Sequence, residues 1–94
     1  MDKELLKTSL NSVWALVYRA AQHDLDYKKL EELRWALSTI RNGWPDDDTH
    51  FGRANLMCDW VDMSGILSVP SRKPQDTEAI MQDCQFLQRY LESN

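Results

Sequence analysis

The chain has 94 residues, 43% of them hydrophobic, 28% charged and 10% aromatic, with three Gly and three Pro. This balance excludes a disordered, collagen-like or low-complexity chain, and the length implies one domain able to bury a core without disulfide or metal staples. Eleven Lys and Arg against fifteen Asp and Glu leave a net charge of −4, which excludes binding to nucleic acid by sheer positive charge.

At about 100° per residue, apolar positions trace a first helix from Lys3 to about His23. Leu6, Leu10, Val13, Val17 and Ala20 form its stripe, and Leu5, Trp14, Leu16 and Ala21 widen it to roughly half the circumference, which predicts a central helix with two or more neighbours. Asp24 or Asp26 is the expected cap of a second helix, whose stripe is Leu30, Leu33, Leu37 and Ile40 with Ala36 alongside. Asn42-Gly43 and then Pro45 predict its end near Arg41. Trp44 to Thr49 reads as a connector into a third helix, with Asp48 or Thr49 as N-cap. Leu56, Trp60, Met63 and Leu67, with Met57 beside them, are its predicted inner face, and Gly52 and Gly65 weaken its ends. Ser68 to Gln75, with two prolines, is the longest predicted loop. Asp76 or Thr77 opens a last helix on which Ile80, Cys84, Leu87 and Leu91 align, flanked by Met81 and Tyr90. The expected fold is all-α, a mostly antiparallel four-helix bundle forming one domain over residues 1–94.

The chemical inventory is thin. His23 and His50 are the two histidines, separated by a whole helix, and consecutive acids before a helix suit capping and the macrodipole better than a metal. His23 reads as a helix-end residue facing free carbonyls. Cys84 lies on a core stripe, and Cys58 is followed by Asp59, whose charge opposes thiolate formation. With no Gly-rich phosphate loop, no Cys-x-x-Cys and no His-Glu-x-x-His, neither an enzyme nor a cofactor is expected. The two cysteines belong to no ligand-spaced pair, the N-terminus is acidic, and no run approaches about 20 apolar residues. These features predict a soluble cytoplasmic protein without membrane contact.

Binding carries more signal. Trp35 is rotated by roughly 200° from Leu33, onto a polar face with Lys28, Glu31, Ser38 and Thr39. Either it meets a partner or another segment, such as the Trp44 connector, covers it. Phe86 and Tyr18 also fall off the main stripes, Tyr18 as a core-edge residue. Asp46, Asp47 and Asp48 precede the third helix and Asp59 and Asp62 lie on it, so a connector folded back beside that helix would give an acidic rim for a basic protein surface. The leading expectation is a protein-binding module, an inhibitor, immunity or regulatory protein that acts by occluding a surface. The alternatives are a nucleic-acid-binding helical regulator using Lys28, Lys29, Arg34 and Arg41, with Arg72 and Lys73 in the loop, and a homodimer through Trp35.

Overall fold

The computed structural model describes residues 1–22, 25–67 and 77–93. Four helices follow one another in those residues: α1 (Lys3–Ala21), α2 (Tyr27–Gly43), α3 (Phe51–Met63) and α4 (Thr77–Ser93). Each packs against the next, and α4 returns beside α1. Side-chain contacts fix the directions. Gly43, at the end of α2, approaches Leu6 at the start of α1 so closely that an added Cβ would stand 3.3 Å from the leucine Cδ2. Arg41 reaches Asp59 and Asp62 while Arg34 reaches the carbonyl of Leu67, so α3 runs back along α2. Arg53 near the start of α3 meets Asp83, and Asp48 just before it meets Tyr90. These contacts make successive helices antiparallel, as the short connections between the first three favour.

The caps follow the expected chemistry in part. The Asp2 carboxylate accepts the Leu5 N–H, and that of Asp26 accepts the Lys29 N–H at 2.8 Å, meeting first-turn donors that lack a helical partner. His23 and Asp24 lie outside the described residues, as do the 68–75 loop and Asp76. The second helix ends at Gly43, two residues beyond the predicted stop at Arg41. Its terminator is Pro45: Trp44, the residue before it, is held extended at ψ 124° and its N–H still closes on the Ile40 carbonyl, because the proline ring bars the helical conformation there. On α3 neither Asp48 nor Thr49 caps the helix. His50 stands at the N-cap position without a side-chain bond, and Asp48 is used elsewhere. Gly65, at φ 88°, takes the left-handed conformation that ends α3. It turns Ile66 into the core, the usual arrangement after a glycine terminator.

The predicted inner stripes of α1, α2 and α4 are all buried, and Leu16 joins the first. The third helix is the exception. Ala54, Met57, Cys58 and Val61 face the core, whereas Leu56, Trp60 and Met63, expected inside, are 52%, 38% and 75% exposed. The helix is apolar on most of its circumference, so spacing alone offers two faces. Arg41 holds Asp59 and Asp62 against α2, and Arg53 holds Asp83 of α4. These pairs accompany a rotation of α3 that puts Ala54, Met57, Cys58 and Val61 inward. Close packing is the result, with the Cys58 thiol 3.9 Å from the Leu37 carbonyl and the Cys84 sulfur 3.2 Å from that of Met57.

Candidate functional site

Two surfaces emerge from the placement of the predicted residues. The first surrounds Trp35. Its position on the outer side of α2 leaves it 56% exposed, while Trp44, the proposed cover, is 3% exposed and packed into the core. The connector therefore does not fold over Trp35. A shallow groove of about 400 Å³ runs beside it, lined by Ser12, Glu31 and Glu32. Of the neighbours named from the sequence, Lys28 and Ser38 are exposed, Thr39 donates its hydroxyl to the Trp35 carbonyl at 2.9 Å, and Glu31 pairs with Arg34 at 2.6 Å. A large apolar ring thus stands in a polar setting with its own helix already satisfied.

The acidic residues do not come together as one rim. Asp46 and Asp47 are exposed on the connector. Asp48 is turned toward α4, where its carboxylate accepts the Trp44 indole N–H at 2.9 Å, the Tyr90 hydroxyl at 2.6 Å and the His50 backbone N–H at 3.0 Å. Asp59 and Asp62 are turned toward α2 and share the guanidinium of Arg41, at 2.9 and 2.5 Å. The connector does fold back, but it brings Asp48 to a tyrosine on α4 rather than to the acids of α3. Spacing could not reveal this, because the acceptor role of Asp48 depends on Tyr90, 42 positions away.

The Asp48 cluster is a structural lock. Burial works to raise its carboxyl pKa, but the donors Tyr90, Trp44 and His50 outweigh that and hold it below the ordinary value, while the bond to Asp48 raises the Tyr90 phenol above its own. His50 packs edge-on against Tyr90 and Phe86, with ring centroids 4.4 and 5.0 Å away. Phe86, off the α4 stripe as expected, in turn lies under the Arg53 guanidinium at 3.8 Å. A group with a depressed folded pKa stabilises above its unfolded pKa, about 4 for Asp, and loses that contribution as pH falls through the folded value; a raised phenol does so as pH rises through its folded value, above about 10. Equilibrium unfolding from pH 7 downward is therefore expected to show a weaker acid dependence in Asp48→Asn than in the unmodified chain, and Tyr90→Phe is expected to flatten the alkaline limb. Identical pH profiles in all three proteins would remove the lock.

The basic residues on α2 are largely answered within the molecule. Lys29 pairs with Asp26, Arg34 with Glu31 and the Leu67 carbonyl, and Arg41 with two aspartates. Lys28 carries no ion pair among the described residues, and Arg72 and Lys73 lie outside them. Both thiols are free and buried. Burial pushes Cys58 up to about 12, against the pull of Arg41, and burial raises Cys84 further, which opposes formation of the thiolate at both. Among the described residues, no three His, Cys, Asp or Glu side chains converge as metal ligands, and no helix is long and apolar enough to cross a membrane.

The second surface was not read from the sequence as a surface. Leu56, Trp60 and Met63 cover about 60° of arc on the outside of α3, with Gly52 at its N-terminal end. The signal that could have found it is the excess of apolar residues around α3 over what one buried face requires. No family model matches the chain, and neither the curated proteins nor the solved structures contain a significant match to it.

Proposed function

We propose that the protein is a small acidic protein-binding module that acts by occupying the surface of another protein, as an inhibitor, immunity or regulatory protein does, without catalysis of its own. The observation that carries this reading is the 56% exposure of Trp35 on a polar helix face, in contrast to Trp44, which the core encloses. An aromatic ring of that size gains most from being desolvated, which is why Trp dominates binding hot spots. The buried, unactivated thiols support a binding role over a nucleophilic one, and two unpaired cysteines suit the reducing cytoplasm. Internal pairing of Lys29, Arg34 and Arg41 supports a protein partner over nucleic acid, since each paired cation releases fewer counterions on binding phosphate.

The test is capture from a nuclease-treated native lysate with the immobilised chain and with Trp35→Ala, followed by mass spectrometry and sedimentation of both proteins. A defined protein retained by the former and lost with the latter is the expected result. Equal capture by both removes Trp35 from the interface. A concentration-dependent dimer abolished by Trp35→Ala would make self-association the function of that face, and recovery of nucleic acid from an untreated lysate would replace the reading.

A further inference from the structure

We propose that the outer face of α3, formed by Leu56, Trp60 and Met63, docks a basic amphipathic helix of a partner protein. This rests on the protein-binding reading and assigns it a surface and a partner chemistry.

The face has the geometry of a helix seat. Its three apolar side chains stand at i, i+4 and i+7 on a helix whose opposite face, Ala54, Met57, Cys58 and Val61, is buried, with ion pairs on both flanks, so the stripe is pre-organised on the outside. Pre-ordering of this kind reduces what association must spend on restricting side chains. Trp60 supplies a rigid anchor, and the flexible thioether of Met63, the most exposed of the three, adapts to varied apolar partners. Gly52 leaves the N-terminal end open, since an added Cβ there would meet nothing within 4 Å.

Charge selects the occupant. On the α2 flank, one guanidinium, Arg41, serves two carboxylates, Asp59 and Asp62, both of which stay about half exposed. That flank keeps one formal negative charge. The negative end of the α3 macrodipole lies beside Asp62, and no basic residue stands in the last turn to offset it. On the α4 flank, Arg53 is neutralised by Asp83 and seated over Phe86. The stripe is thus bordered by one negative edge and one neutral, partly aromatic edge. A helix with an apolar stripe and Lys or Arg along one side matches both, in the way amphipathic helices seat their apolar faces in grooves.

A second copy of the chain matches less well. Antiparallel pairing of two such faces about a two-fold axis sets the Asp59 and Asp62 edge against its own symmetry mate, and parallel pairing aligns like ends of the helix dipoles. An anionic lipid surface is opposed by the same carboxylates.

The experiment measures fluorescence anisotropy with a labelled synthetic peptide helix bearing a leucine stripe and lysines on its edges, and with a matched peptide in which glutamate replaces lysine. Titrants are the full chain, Trp60→Ala, the double variant Asp59→Asn/Asp62→Asn, Trp35→Ala and the control Tyr27→Ala, each checked for helicity by circular dichroism. The basic peptide is expected to bind and the acidic one not. Trp60→Ala should weaken binding by about tenfold, the loss typical of an interfacial Trp anchor. The double variant should also bind more weakly and with a shallower dependence on salt between about 50 and 300 mM, while Tyr27→Ala, an exposed aromatic at the start of α2, should bind as the full chain does. Equal binding of the two peptides, binding indifferent to Trp60→Ala, or no binding at all overturns the assignment. Sensitivity to Trp35→Ala alone also overturns it, yet leaves the protein-binding reading intact on α2. Dimers in sedimentation abolished by Trp60→Ala, or binding to anionic phospholipid vesicles in place of the peptide, would give the face a different occupant.

Discussion

Trp44→Ala is expected to lower the free energy of unfolding by roughly 4 kcal/mol, the cost of emptying a large aromatic site in a packed core, whereas Trp35→Ala changes it by no more than about 0.5 kcal/mol. The two residues are equally hydrophobic by type, and their difference comes entirely from position. Trp44 is enclosed and donates its indole N–H to Asp48, which also accepts from Tyr90. Removing the ring creates a cavity and deprives a half-buried carboxylate of one of its donors. Tyr90 also packs near the Trp44 ring, with centroids 6.5 Å apart, so its support would loosen as well. Asp48→Ala keeps the ring and should fall between the two, at about 2 kcal/mol, the usual worth of a charged hydrogen-bond partner. Urea unfolding followed by circular dichroism ranks the three. If Trp44→Ala proves as mild as Trp35→Ala, the connector does not tie α2 to α4.

Most of the fold was legible because three of the four helices are amphipathic in one direction only. On α4, Ile80, Cys84, Leu87 and Leu91 repeat at helical spacing, and all four are buried; the stripes of α1 and α2 read equally plainly. Ends were less legible: Asn42-Gly43 looks like a glycine stop, yet the stop belongs to Pro45, acting one residue back on Trp44. The candidate site was legible where a residue breaks a clear pattern, as Trp35 does among Lys28, Glu31 and Thr39. It was not legible where the decision is made by contacts between helices. Asp48 and Asp59 look alike as acids near the start and middle of α3, and only the positions of Tyr90 and Arg41 separate their roles.

The same contacts decide the face of α3, and they make the largest effects in this helix opposite to what spacing alone predicts. Val61→Asp is expected to cost about 4 kcal/mol or more, because a carboxylate replaces a side chain with no solvent access and finds no partner there. A domain of this size commonly has only about 5–10 kcal/mol in total, so this variant should lose a large share of its stability and unfold at a markedly lower temperature. Leu56→Asp, on the face that spacing assigns to the core, should remain folded with a stability within about 1 kcal/mol of the starting chain. Turning α3 to bury Leu56, Trp60 and Met63 requires a rotation of roughly 150°, which would break both Arg41 pairs and the Arg53–Asp83 pair together. It would also carry Ala54, Met57, Cys58 and Val61 into water. The ion pairs are partly exposed and individually weak; their effect on the fold is selective, raising the rotated alternative relative to the native packing. Thermal unfolding of the two aspartate variants settles the orientation: a folded Val61→Asp beside an unfolded Leu56→Asp would show that α3 presents the other face to the core.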